Sequence, residues 1–120
     1  MRLSTRVHGA LDYAVGALMI VLPFVLGLGG GAERWILVAV GVATIAWSLA
    51  TDYELGVLRK LQIPHHLWLD GIGGVLLAVS PWLFGFDGRA WVPHVALGLF
   101  AAAAAVFTDT IPSYERRGAR

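Results

Sequence analysis

The chain has 120 residues, 58% of them hydrophobic, a mean hydropathy of +0.71 and a formal net charge of +1. This composition is far from that of an ordinary water-soluble domain, and no basic patch of the kind that holds nucleic acid is present. Cysteine is absent, which removes disulfides, thiolate ligands and a thiol nucleophile from consideration.

Four stretches carry no Asp, Glu, Lys or Arg: Tyr13 to Ala32, Trp35 to Thr51, Gly71 to Phe86 and Ala90 to Thr108. Each comes near the roughly 17–25 residues with which an α-helix crosses a bilayer. A soluble protein this small has too much surface for its volume to bury four of them. The expected fold is therefore an all-α membrane protein with four transmembrane helices, at residues 6–28, 33–52, 65–86 and 90–109.

Along the first helix, His8, Asp12, Gly16 and Pro23 share one face about 80° wide. Pro23 removes a backbone donor and should bend the outer part of the helix. The Gly27–Gly31 turn then permits the positive φ of a tight reversal. Trp35 opens the second helix at the outer interface, and Ala39, Ala43, Ala46 and Ala50 draw a smooth stripe suited to close helix packing. The linker carries Leu55, Leu58 and Leu61 beside Arg59 and Lys60, a spacing that fits either a short helix lying on headgroups or a plain connection.

The second half repeats the first. His8-Gly-Ala-Leu-Asp12 recurs as His66-Leu-Trp-Leu-Asp70, Gly16 as Gly74, Pro23 as Pro81, Gly27 as Gly85, Trp35 as Trp91, Gly41 as Gly98 and Thr51-Asp52 as Thr108-Asp109. An offset held between 56 and 58 residues marks a duplicated supersecondary unit. Residues 1–54 form the first repeat, 55–64 a linker, 65–111 the second repeat and 112–120 a basic tail. The match of the first apolar run to a mid-chain one argues against reading the former as a signal peptide. A two-helix unit returns to the side on which it began, so the hairpins are expected to run parallel about a pseudo-twofold axis along the membrane normal. Arg2, Arg6, Arg59, Lys60, Arg116, Arg117 and Arg120 cluster on one side, with only Arg34 and Arg89 on the other. The positive-inside rule then puts both termini in the cytoplasm.

Ser80-Pro81-Trp82, placed in the first helix of a two-helix unit, resembles the SPW repeat of small bacterial membrane proteins. The second unit carries His66, Asp70, Gly74, the tripeptide and Gly85, whereas the first has Leu22-Pro23-Phe24 in its place and keeps only the proline. The resemblance implies duplicated membrane hairpins in a bacterial cell membrane and supplies no catalytic residue.

Chemistry concentrates at the cytoplasmic ends. His8, Asp12, His66 and Asp70 are candidate metal ligands, since imidazole and carboxylate at i,i+4 on two helices make a His2Asp2 set suited to zinc or iron. The same groups could instead bind or relay protons. The plainer reading makes each His–Asp pair an intrahelical ion pair. Asp52 and Asp109 then join Ser80, Pro81 and Trp82 in a structural clamp that fixes helix register. A haem between His8 and His66 is a further reading, set against the acidic neighbour of each histidine. His94 reads as a satisfied interfacial histidine, and Trp47, Trp68 and Trp82 as packing. The expected function is a structural or accessory membrane protein with no cofactor and no enzymatic activity, self-associating or seated in a larger membrane assembly. The alternative is cation or proton binding through the His/Asp cluster.

Overall fold

A computed structural model describes residues 3–51 and 54–108. Four helices follow in order: α1 (Thr5–Val25), α2 (Ala32–Ala50), α3 (Ile63–Leu83) and α4 (Val92–Val106). The first three are long and apolar enough to cross a membrane; α4, with 15 residues, is shorter. The expectation of four full-length spans is corrected on that point. Pro93 sits in the first turn of α4 and sets its start, and at the other end Thr108 has left the helix to bridge with Leu3.

Each adjacent pair packs as an antiparallel hairpin, α1 on α2 and α3 on α4. The crossings are built on glycine. A Cβ at Gly41 would stand 2.6 Å from the Gly16 carbonyl, and one at Gly74 would stand 2.6 Å from that of Gly98. The backbones meet where side chains would forbid it. Gly27 and Gly85 take φ of +66° and +72° at the reversals.

Burial runs inside out. Among the described residues, twelve polar or charged side chains are buried against eight hydrophobic ones, while Val25, Trp68, Ile72, Leu83 and Phe84 lie on the outside. Water would reverse this order, so the outer surface calls for an apolar surrounding. A small core of Met19, Leu37 and Leu77 fills the middle, with Val15, Val40 and Leu97 around it.

The buried face of α2 is Glu33, Leu37, Gly41, Thr44 and Ser48. The Ala39–Ala50 stripe is turned away from it, with Ala39 and Ala46 exposed, which corrects the expected packing face. Gly41 decides the matter, because only glycine allows the approach of Gly16. On α4, Gly98 and Ala105 are buried.

Residues 54–62 hold no helix, so the linker is a plain connection. It folds back on the end of α2: the amides of Val57 and Leu58 donate to the Leu49 carbonyl, and those of Lys60 and Leu61 donate to that of Ala50. These bonds satisfy carbonyls that the helix itself leaves open. Thr51 thereby bridges with Leu61, while Leu3 bridges with Thr108 and its amide donates to the Phe107 carbonyl. The end of α2 is thus tied to the start of α3, and the end of α4 to the start of α1.

Candidate functional site

The two ties converge on one buried cluster. On the inner face of α1, Thr5, His8, Asp12, Gly16, Met19 and Pro23 follow at helical spacing. On α3 the sequence is Ile63, His66, Asp70, Gly74, Leu77 and Pro81. His8 and His66 meet edge to face with ring centroids 5.5 Å apart.

The shortest contacts run between the hairpins. His8 Nε2 lies 2.6 Å from Asp70 Oδ2, and His66 Nε2 lies 2.6 Å from Asp12 Oδ2. The i,i+4 contacts within each helix are longer, at 3.2 Å for both His8–Asp12 and His66–Asp70. Four atoms alternating N, O, N, O therefore close a ring with sides of 2.6, 3.2, 2.6 and 3.2 Å. The intrahelical pairing expected from spacing is present, but it is the weaker half of the arrangement.

The second nitrogen of each imidazole is held by a threonine. His8 Nδ1 is 2.7 Å from Thr108 Oγ1, and His66 Nδ1 is 2.6 Å from Thr51 Oγ1. Each threonine hydroxyl donates its only hydrogen to a carbonyl one turn back, Thr51 to Trp47 and Thr108 to Ala104. The hydroxyl oxygen can then only accept, so both Nδ1 atoms carry hydrogen. Both Nε2 atoms face the carboxylates, and each 2.6 Å contact holds one proton shared between imidazole and acid. Whichever partner carries it, the ring is neutral.

Further donors fix the acids. Trp47 Nε1–H donates to Asp70 Oδ1 at 2.7 Å, and Ser48 Oγ–H approaches Asp12 Oδ2 at 3.4 Å. A cavity of about 10 Å³ adjoins both aspartates, among Thr44, Trp47, Gly73 and Ala104. That is room for about one water molecule. Outside the ring, Thr5 Oγ1–H donates to the Glu54 carboxylate, and Tyr13 Oη–H donates to the Leu55 carbonyl at 2.8 Å.

A family model of the SPW repeat domain matches residues 6–108. The chain belongs to the SPW repeat family. No curated protein and no solved structure matches it.

In this SPW chain the signature tripeptide stands apart from the ring, about 15 Å further along α3. Pro81 lacks the N–H that would reach the Leu77 carbonyl, and Ser80 Oγ–H donates to that carbonyl instead, at 2.7 Å. Trp82 is exposed and lies against Trp91 with ring centroids 6.4 Å apart. Ser80, Pro81 and Trp82 therefore shape the far end of the hairpin, apart from the cluster. Asp52 and Asp109, expected there too, lie outside the described residues. His65 is exposed, away from the ring that its neighbour His66 joins.

At the opposite end His94 is fully buried and its Nε2–H donates to the Glu33 carbonyl at 2.8 Å, beside Phe86. Glu33 pairs there with Arg89 at 3.1 Å. An open apolar groove of about 600 Å³ between α3 and α4 has no ionisable group in its lining. A haem reading meets an obstacle in the ring itself, because Asp12 and Asp70 occupy the space between the two Nε2 atoms where a macrocycle would lie.

Sequence reasoning passed over four of the participants. Thr51 and Thr108 were visible as a repeated pair, but the aspartates beside them drew the chemical reading. Trp47 reads from sequence as packing, and Glu54 as the last residue of the first repeat.

Proposed function

We propose that this chain is a multi-pass protein of the bacterial cell membrane with a structural or assembly role, in which two parallel hairpins related by a twofold axis along the membrane normal are locked together by the His8/Asp12/His66/Asp70 ring. The observation that carries this reading is the crossed pairing: each histidine makes its 2.6 Å contact with the aspartate of the other hairpin. Between apolar helices in lipid no hydrophobic force joins two hairpins, so polar contacts and close packing must do it. The outward apolar surface and the SPW membership support the membrane placement. The distribution of Arg and Lys supports termini in the cytoplasm.

A double-mutant cycle on His8→Gln and Asp70→Asn, read by thermal unfolding in mild detergent, tests the lock. A coupling of about 1–3 kcal/mol is expected for a buried, crossed hydrogen-bonded pair. Additive effects would refute it. Reporter fusions at both termini test orientation. The assembly role predicts that gently solubilised chain runs with copies of itself or with other membrane proteins, and a lone monodisperse monomer refutes that role.

A further inference from the structure

We infer that the same ring is a binding site for one divalent transition-metal ion of the zinc or ferrous class. The lock needs only the hydrogen bonds. The metal site needs the donor atoms, and it holds or fails independently of how much the lock is worth.

The donor set comes first. Ligand atoms from His8, Asp12, His66 and Asp70 all lie within 4.8 Å of one another, and all four residues are buried. Two borderline imidazole nitrogens with two harder carboxylate oxygens make a four-ligand set suited to zinc or ferrous ions; magnesium and calcium prefer oxygen alone, in shells of six or more.

Orientation is the second observation. A ligating histidine almost always donates its other N–H to an oxygen that fixes its tautomer and its aim. Thr108 and Thr51 do this for His8 and His66, so that both Nε2 atoms point inward. Trp47 does the equivalent for Asp70, holding Oδ1 and leaving Oδ2 on the ring.

Charge is the third. An uncompensated ion among buried apolar helices is costly. Two carboxylates cancel a divalent cation, and neutral imidazoles add nothing to the sum. The ion takes the place of the two shared protons and leaves the ring neutral, as it was.

The fit is close without being complete. Metal–ligand bonds of about 2.0–2.1 Å in a tetrahedron put neighbouring donor atoms about 3.3 Å apart. Two sides of the ring, at 3.2 Å, already meet that spacing, and the two 2.6 Å sides must open by about 0.7 Å. Those are the sides drawn short by the shared protons, which the metal displaces.

The test uses the full-length chain in mild detergent, stripped with chelator, then loaded with Zn²⁺ or Co²⁺ and desalted. Elemental analysis is expected to find one metal per chain, and the Co²⁺ form is expected to absorb in the visible as a tetrahedral site. Mg²⁺ is expected not to load. His66→Gln and Asp70→Asn are expected to drop loading well below one equivalent, while His65→Ala leaves it unchanged. Thr51→Val and Thr108→Val keep all four ligands and are expected to weaken affinity by about 10–100-fold. These two decide the matter if the ligand variants lose their helical circular dichroism. Absence of stoichiometric Zn²⁺ and Co²⁺, or full affinity in both threonine variants, overturns the proposal. Loss of metal on His65→Ala also overturns it, by placing the ion at the exposed histidine.

Discussion

Replacing Gly74 with alanine puts a methyl group into the crossing of α3 and α4. Its Cβ would lie 2.6 Å from the Gly98 carbonyl oxygen, 2.8 Å from the Ala102 amide nitrogen and 3.2 Å from Ala101 Cβ. Two of these are backbone atoms, which cannot swing aside, so the helices must part by about 0.8 Å to restore ordinary contact. Overpacking of this kind costs about 1–3 kcal/mol. Removing a helical glycine returns about 0.5–1 kcal/mol. The net expectation for Gly74→Ala is a loss of about 0–2.5 kcal/mol. Gly73 supplies the control one residue earlier. A Cβ there meets only the Trp47 ring at 3.5 Å, an ordinary contact. Gly73→Ala should therefore leave stability unchanged or raise it by up to about 1 kcal/mol. Both variants can be unfolded by denaturant in detergent and followed by far-ultraviolet circular dichroism. If Gly74→Ala is as stable as Gly73→Ala, the backbone-contact account of the crossing is wrong.

Trp47→Phe removes the donor to a buried carboxylate oxygen along with the five-membered ring that carries it, and should cost at least about 1–3 kcal/mol in thermal unfolding. An unchanged melting temperature would mean that Asp70 does not depend on that bond. Ser80→Ala leaves the Leu77 carbonyl without its hydroxyl donor and should cost about 1 kcal/mol. In a Pro81→Ala background, where the backbone N–H returns, the same change should cost clearly less; equal costs in both backgrounds would refute the substitution of hydroxyl for amide.

The helices were legible because charge-free runs of membrane length admit few alternatives, and their ends shifted by only a few residues where Pro93, Gly27 or an extended Thr51 stopped them. His8, Asp12, His66 and Asp70 were legible as a set, since helical spacing puts each pair on one face. Their pairing was not. Spacing reveals the i,i+4 neighbour, whereas the partner across the hairpins depends on how closely α1 approaches α3, which no single helix encodes. The same limit hid Trp47, whose indole reads as packing until a carboxylate is known to stand beside it. The alanine stripe of α2 misled for a related reason. Small residues permit close approach on any face, and the selection is made by Gly16 and Gly41, the pair that admits backbone contact.

Helix α4 has a consequence for the lipid around it. Its 15 residues rise about 22 Å, against about 31 Å for the 21 residues of α1 and α3. In the proposed membrane placement, a bilayer whose hydrocarbon is about 30 Å thick is matched on one flank of the molecule and too thick on the other, so acyl chains beside α4 would have to shorten or the flank be shielded. Such lopsided matching favours thin membranes; under the proposed assembly role, a neighbour seated along α4 would relieve the deformation by contact with protein.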